Sequence, residues 1–224
     1  MAGRSVKIEG KLDNPYRGLL MQGGFIFGTN PKQVSGYEKN KLVATGPPSM
    51  VPSPTLPEMS AQWKSDLLTN VVPFWQSNSI DTEYGGYYTC LDQDGSMLSD
   101  VKYMWLQGRA VWTWSRLHNT PGLAPDKKTN DLWFENAANG AAFLEKGKKA
   151  DGSLLFAVSR SGETPLHFQR KPYAAVFYVL ACLEYGEALK VRGGSASAVQ
   201  VWFAEAVSYF EKLHGWIDNP CCGC

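Results

Sequence analysis

Histidine, clustered positive charge and long apolar runs are all scarce in this sequence. The 224 residues include three histidines, and the formal net charge is +1. Lysine and arginine do not cluster, so we expect no nucleic-acid partner. No apolar run reaches the roughly 18 residues of a membrane span, so we expect no membrane partner. The N-terminal residues lack the apolar segment of a secretory signal, and a cytosolic protein is therefore expected.

Cysteine is also sparse, and its placement indicates a reduced protein. Cys90 and Cys182 lie in apolar surroundings and are predicted to be free core thiols. Cys221, Cys222 and Cys224 crowd the C-terminus, but no further Cys or His pair stands at metal-ligand spacing. A tail with exposed thiols is therefore favoured over a metal site. The sequence also has no phosphate-binding loop, Ser/His/Asp order or zinc motif, so we predict no required metal or cofactor.

Residues 1–57 differ from the rest of the chain. They show no sustained periodicity and end in a proline-rich run over residues 46–57. Proline fixes φ and removes a backbone donor, so this run is not expected to form a helix or a central strand. We predict a mostly disordered extension over residues 1–57 and a folded domain over residues 58–224.

The folded domain repeats one order of elements: helix, glycine-led strand, turn, helix. Helices are predicted to begin near Ser60, at Asn130 or Asp131, at Tyr173 and near Ser197, with a further helix over residues 103–117. Strands are predicted over residues 85–91 and 152–159. Such repeats bury their apolar faces against their neighbours, and closed into a ring they form an α/α toroid. Five helices are too few to close that ring.

Helical periodicity assigns an inward face to each predicted helix. The assigned residues are Tyr103, Leu106, Ala110, Trp114 and Leu117; Leu132, Phe134, Ala138, Ala141 and Leu144; Tyr173, Phe177, Leu180, Leu183 and Leu189; and Val201, Phe203, Ala204, Val207, Phe210 and Leu213.

Arg109 has two interpretations. Trp105 precedes it by four residues, so the indole and the guanidinium share one helix face. An arginine beside a tryptophan forms a cation–π contact or the anion-facing end of a pocket with an aromatic wall. The alternative is an arginine that covers the edge of the core with its aliphatic stem.

Two motifs give these residues a family context. Residues 81–87 (Asp-Thr-Glu-Tyr-Gly-Gly-Tyr) and 102–109 (Lys-Tyr-Met-Trp-Leu-Gln-Gly-Arg), in this order, resemble the N-acylglucosamine 2-epimerase family, also known as renin-binding protein. The resemblance covers residues 59–216, including Gln169-Arg170 and Phe177-Tyr178, and corresponds to the first half of a family member. It implies an all-α fold, the (α/α)6 toroid with short β-hairpins at one rim, of which only the first part of the ring is present.

The resemblance also implies a reaction. The family interconverts N-acetylglucosamine and N-acetylmannosamine by removing the C2 proton of the open-chain sugar and returning a proton on the other face. Charge that develops on the carbonyl oxygen needs a fixed cation or donor. The resemblance implies that Arg109 is this catalytic cation, that Trp105 is part of the sugar-facing wall and that Tyr173 is a substrate-binding residue.

The family's acid and base are two histidines in its second half. His118, His167 and His214 fall in none of the family's catalytic motifs, so each is predicted to be structural, and the chain is predicted to lack a complete active site. Asp81 and Glu83 resemble an acid/base pair, but acidic residues before two glycines commonly bond turn amides. A structural role is therefore predicted for both.

Two other functions stay open. One is a related toroid that acts on another sugar, such as a cellobiose or mannose isomerase. The other is a non-catalytic half-toroid that binds a protein, because an unfinished ring exposes apolar helix faces. The family resemblance further implies a renin-type protein partner, a homodimer and a nucleotide such as ATP as an allosteric effector.

Overall fold

The computed structural model describes residues 55–167 and 172–218, together with five short strands before them. The chain divides into two compact units, Met1–Met59 and Ser60–Cys224. The first unit contains two small antiparallel sheets, one with the strand order β1-β5-β4 and one with β2 beside β3, and the first residues of helix α1 (Leu56–Asp66). The strands are β1 (Ile8–Glu9), β2 (Leu19–Met21), β3 (Phe25–Phe27), β4 (Tyr37–Glu38) and β5 (Lys41–Leu42).

Most of residues 1–54 lie outside the described part of the chain. The predicted disorder of residues 1–57 therefore stays a prediction. The same holds for the predicted tail of exposed thiols at Cys221, Cys222 and Cys224, and for the matched pair Gln169-Arg170.

Helices dominate the remainder of the chain, as the all-α prediction requires. They are α1 (Leu56–Asp66), α2 (Val72–Asn78), α3 (Met104–Asn119), α4 (Lys127–Leu144), α5 (Tyr173–Val191) and α6 (Ala196–Asp218). Short strands lie between them: β6 (Cys90–Leu91), β7 (Met97–Ser99), β8 (Lys102–Tyr103), β9 (Ala157–Val158) and β10 (Pro165–His167). Among the described residues, none of the helices combines the length and apolarity that a membrane-spanning segment needs.

The predicted repeat is present. A hairpin precedes the pair α3–α4, and a second hairpin precedes the pair α5–α6. Strand β8 of the first repeat pairs antiparallel with β9 of the second, so a three-stranded sheet in the order β10-β9-β8 joins the two repeats. The strands are shorter than predicted, because Gly85, Gly86 and Gly152 adopt positive φ angles and hold the chain in turns.

Two helix starts differ from the predicted ones, whereas α5 begins at Tyr173 as predicted. The first helix begins at Leu56 rather than near Ser60, because the Glu58 carboxylate accepts hydrogen bonds from the backbone N–H and hydroxyl of Thr55 at 2.8 Å. Pro57 fits in the first turn, where a backbone donor is not needed. Helix α4 begins at Lys127 rather than at Asn130 or Asp131, because Asp126 accepts from Thr129 N–H at 2.7 Å.

Pro73 interrupts the first helix, as predicted. A π-helical turn over Leu67–Val71 separates α1 from α2, and the Val72 N–H bonds the Leu67 carbonyl five residues back. The widened turn accommodates the proline ring, which would clash with a carbonyl in a regular α-helix.

The predicted inward faces are partly wrong. Exposed residues include the assigned Tyr173, Leu180, Leu183, Val201, Val207 and Phe210. Small and aromatic residues take their places in α5 and α6: Ala174, Ala175, Tyr178, Cys182, Tyr185, Ala206 and Tyr209. Helix α5 packs against both α3 and α6 and is apolar on almost every side, so periodicity alone could not select its buried face.

The buried face of α3 is likewise turned from the predicted one. Trp114 and Leu117 are buried as predicted, but Tyr103 belongs to β8, and Leu106 and Ala110 are half-buried. The buried set on α3 is Met104, Gln107, Gly108, Val111, Trp114, Ser115, Leu117 and His118. This face is wide because α3 packs against α4 on one side and α5 on the other.

Gly108 sets the distance between α3 and α5. A Cβ atom at this position would lie 2.8 Å from the Phe177 carbonyl oxygen and 2.9 Å from its carbon. Both atoms belong to the backbone of α5, so the two helices would have to separate.

We expect Gly108→Ala to lower the free energy of unfolding by about 1–3 kcal/mol, the usual cost of overpacking a well-packed interior. Urea unfolding measures this change. Gly215→Ala is the matched control, because Gly215 lies in α6 with nothing within 4 Å of its added Cβ. There the greater helix propensity of alanine should leave stability unchanged or slightly raised. Equal stabilities for Gly108→Ala and the parent chain would contradict the close approach.

Candidate active site

Three aromatic rings and one arginine meet where α3 and α5 begin. The Trp105 ring lies 5.7 Å from Tyr173 and 5.9 Å from Phe177, measured between centroids. Tyr173 and Phe177 are 5.1 Å apart in an edge-to-face arrangement. We call Trp105, Arg109, Tyr173 and Phe177 the aromatic–arginine cluster. It contains all three residues that the family resemblance implied for the site.

Arg109 lies at the exposed side of this cluster. Its guanidinium carbon is 5.8 Å from the Trp105 ring and 5.5 Å from the Phe177 ring. In the described part of the chain, no carboxylate lies within ion-pair distance of this guanidinium. Its N–H groups can therefore bond an anionic oxygen beside an aromatic wall.

Phe177 was assigned to the core and not to the site by sequence reasoning. It follows Tyr173 by four residues, so both side chains project from the same face of α5. This spacing was visible in the sequence. The sequence did not show that α5 packs on α3 at Gly108. This packing places the Phe177 ring beside the Arg109 guanidinium.

A buried glutamine fixes the segment that precedes the cluster. Gln107 donates to the Tyr87 carbonyl and accepts from the Tyr87 N–H, both at 2.8 Å, and it is fully buried. The Tyr87 hydroxyl donates in turn to the Asn136 carbonyl of α4 at 2.7 Å. These bonds connect the Gly-Gly turn, α3 and α4, so the turn cannot shift independently of the helix that carries Arg109.

A set of charged side chains lies beneath the Gly-Gly turn. Lys102 and Asp81 are completely buried and form an ion pair of 2.8 Å. The lysine also donates to the Gly85 carbonyl and lies 4.3 Å over the Phe143 ring. Arg160 approaches Asp81 from the other repeat at 3.1 Å and reaches Glu83 at 2.7 Å. We call Asp81, Lys102 and Arg160 the buried ion network.

Asp81 is the acceptor on which this network converges. Its Oδ1 accepts from the backbone N–H groups of Glu83 and Tyr84 at 3.0 and 3.1 Å. The predicted bonding of turn amides is therefore confirmed for Asp81. Burial alone would raise the pKa of this carboxyl, but hydrogen bonds from Arg160 and Lys102 together with the turn amides hold it well below its usual range. A carboxylate so paired is a poor proton acceptor, so Asp81 is unsuited to act as a base.

Among the described residues, no histidine hydrogen-bonds or stacks with a member of the aromatic–arginine cluster or the buried ion network. His118 is buried, its Nδ1 lies 3.0 Å from the Asn130 carbonyl oxygen, and its ring packs on Phe134 at 5.3 Å. His167 ends β10 and is exposed, while His214 lies on the exposed side of α6 against Phe210.

Cys90 and Cys182 are free thiols, as predicted. Burial raises the pKa of the Cys182 thiol to about 12, so it is inert near neutral pH. Within residues 55–167 and 172–218, no group of three His, Cys, Asp or Glu side chains is arranged to hold a metal ion.

This fold and this cluster define a helical-repeat protein with an exposed arginine on an aromatic wall, and comparison with known proteins identifies the class. The sequence profile of the N-acylglucosamine 2-epimerase (GlcNAc 2-epimerase) family matches residues 86–216, and the chain belongs to that family. The human N-acylglucosamine 2-epimerase is 31% identical over 172 residues, which is 72% of this chain. The mouse enzyme is 30% identical over 169 residues, which is 70% of this chain.

The chain spans about a third of these relatives, 36% of the human and of the mouse enzyme. Solved structures with the same fold include cellobiose 2-epimerase from Spirochaeta thermophila DSM 6192, with a TM-score of 0.53 and 21% identity. That match covers 72% of this chain and 38% of the other. A D-mannose isomerase matches with a TM-score of 0.51 and 16% identity, covering 71% of this chain and 37% of the isomerase. The cellobiose 2-epimerases are α/α toroids, so the fold prediction is confirmed.

We expect Asp81→Asn to destabilise the chain at pH 7 by on the order of 3–5 kcal/mol, because it leaves the fully buried Lys102 without its counter-charge. Stability from a carboxyl with a lowered pKa is fully present above its ordinary value of 3.8 and is lost as pH falls through the folded value. The difference between parent and variant should therefore shrink only below about pH 4.

Urea unfolding of both proteins from pH 7 to pH 3 measures this difference. Glu83→Gln is the control, because Glu83 also pairs with Arg160 but is more than half exposed, and it should change stability little. A pH-independent difference between the parent and Asp81→Asn would contradict an ionised Asp81 in the network.

Proposed function

We propose that this chain forms the sugar-binding part of an N-acylglucosamine 2-epimerase, acting on open-chain N-acetylglucosamine and N-acetylmannosamine in the cytosol. The supporting observation is the aromatic–arginine cluster, since it joins a stacking wall to a permanently charged donor in a member of this family. Sugar rings and chains present C–H faces to aromatic walls and oxygens to arginine.

Arg109 acts on the substrate's carbonyl oxygen. Removing the C2 proton moves negative charge to that oxygen, and a guanidinium stabilises it without exchanging a proton itself. Trp105, Phe177 and Tyr173 exclude water on one side of the sugar, which strengthens this electrostatic interaction. The acid and base are absent from the cluster as described, so the proposed role of this chain is binding and charge stabilisation.

Sugar binding tests the cluster directly. Arg109→Ala should weaken the binding of N-acetylmannosamine by about tenfold to a hundredfold, because a hydrogen bond from a charged donor contributes roughly 1.5–3 kcal/mol. Ligand-detected NMR titration of the full chain measures this loss. Arg116→Ala is the matched control: Arg116 lies on the same helix, is well exposed and pairs with Glu184 outside the cluster. Equal weakening by both variants would contradict a specific role for Arg109.

Proton exchange tests the second half of the proposal. The pure chain should incorporate no deuterium at C2 of either sugar in heavy water, because no histidine lies in the aromatic–arginine cluster. NMR follows the C2 proton signal over time. Exchange that disappears in Arg109→Ala would show that a working base lies within this chain, and the proposed division of roles would fail.

The second candidate is a related sugar isomerase. The fold neighbours include cellobiose 2-epimerases and a D-mannose isomerase, which supports it. Titration with cellobiose and mannose beside the two amino sugars separates the candidates, since the tightest ligand indicates the substrate class. The nucleotide effector, the homodimer and the renin-type partner implied by the resemblance stay predictions.

A further inference from the structure

Phe177 lies close to every other member of the aromatic–arginine cluster. Its ring centroid is 5.1 Å from Tyr173, 5.9 Å from Trp105 and 5.5 Å from the guanidinium carbon of Arg109. The same guanidinium carbon lies 5.8 Å from the Trp105 ring. Arg109 therefore has two aromatic neighbours at almost equal distance, one from its own helix α3 and one from α5.

These two rings are what holds the Arg109 guanidinium. Among the residues that the structure describes, its N–H groups have neither a hydrogen-bond acceptor nor an ion-pair partner, and the side chain is exposed. An exposed arginine samples many rotamers, and it loses that freedom when a ligand fixes it. Attraction to the faces of two rings restricts the guanidinium before any ligand arrives.

The position of the Phe177 ring is itself determined by the helix contact. The backbone of α5 at Phe177 is so close to α3 that a Cβ atom on Gly108 would lie 2.8 Å from the Phe177 carbonyl oxygen. Gly108 directly precedes Arg109 in the chain, so the two helices are nearest where the arginine is attached. The Tyr173 ring meets Phe177 edge to face, with 74° between the ring planes. Both contacts orient the Phe177 ring without a ligand.

We propose that Phe177 is a positioning residue, whose ring acts with Trp105 to hold the Arg109 guanidinium where it receives an anionic oxygen. This inference rests on the proposed function, in which Arg109 stabilises negative charge on the carbonyl oxygen of the sugar. A donor that is already in place loses less entropy on binding, so its pre-positioning increases affinity. Because Arg109 belongs to the first repeat and Phe177 to the second, the charged donor is functional only when the two repeats are packed together.

Arginine side-chain NMR tests the position of Arg109 without any sugar. The full chain is produced with isotope-labelled arginine, and the Hδ signal of Arg109 is identified by its absence in Arg109→Lys. Protons near the face of an aromatic ring are shielded. Phe177→Leu should therefore shift this signal toward that of a solvent-exposed arginine, whereas Phe177→Tyr keeps the ring and should retain it.

Arg116 is the control in the same spectra. It lies on α3 and pairs with Glu184 of α5 at 3.5 Å, so its signal reports whether the two helices stay packed. The Arg116 signal should not move in Phe177→Leu. An unchanged Arg109 signal would overturn the proposal. Equal shifts of both signals would overturn it as well, because Phe177 would then have a general structural role.

A double-mutant cycle tests the consequence for sugar binding. Phe177→Leu should weaken the binding of N-acetylmannosamine by about twofold to fivefold, which corresponds to the strength of an exposed cation–π contact. In the Arg109→Ala background the same substitution should have no further effect, because the group that it positions is absent. Equal weakening in both backgrounds would assign Phe177 a direct contact with the sugar and overturn the positioning role.

The two measurements separate this inference from the proposed function. If the parent chain binds neither amino sugar while the Arg109 signal still depends on Phe177, the proposed function fails and the positioning of Arg109 stands. Circular dichroism and urea unfolding of each variant establish that it is folded.

Discussion

The buried ion pair between Lys102 and Asp81 determines where the helix of the candidate site begins. Two unpaired charges would be too costly in this interior, so each must keep its partner. Lys102 is in β8, which pairs with β9, and the next residues continue directly into α3. The Met104 N–H also bonds the Phe156 carbonyl at 2.9 Å. The ion pair therefore fixes the register of β8 and, with it, the first turns of α3.

The residue at which α3 begins determines which side chains its first two turns direct toward α5. Trp105 and Arg109 project toward α5, and Gly108 between them permits the backbone of α5 to approach. A side chain at that position would separate the two halves of the aromatic–arginine cluster. The arrangement of the aromatic–arginine cluster thus depends on the absence of a Cβ atom at Gly108 and on the ion pair between Lys102 and Asp81.

Sequence reasoning brought Arg109, Trp105 and Tyr173 together, as the structure does, more readily than it identified the core. Spacing alone left two interpretations of Arg109, and the family resemblance supplied the roles predicted for Arg109 and Trp105. In α5, by contrast, Leu180 and Leu183 are as apolar as the buried Ala181 and Cys182, so hydrophobicity could not separate the exposed face from the packed one. Two helices approach each other closely along faces that carry small residues. Which face of α5 is buried therefore depends on the neighbouring helices and not on the hydrophobicity of α5 itself.

Two predicted helix starts, those of α1 and α4, were wrong for a different reason. Ser60 and Asn130 are acceptable caps in isolation, but Thr55 with Glu58 and Asp126 with Thr129 make the actual capping bonds. Each pair could be read from the sequence as a cap followed three residues later by its partner. Prolines near both positions made an earlier helix start less expected, although proline is well tolerated in a first turn.

The proposed chemistry limits the role that Arg109 can have. A guanidinium can hold the charge of an enolate but stays protonated at working pH, so it cannot remove the C2 proton. Asp81 is held by Lys102 and Arg160, and the Nδ1 atom of the buried His118 lies against the Asn130 carbonyl. Under the proposed function the cluster therefore supplies charge stabilisation and not the proton acceptor.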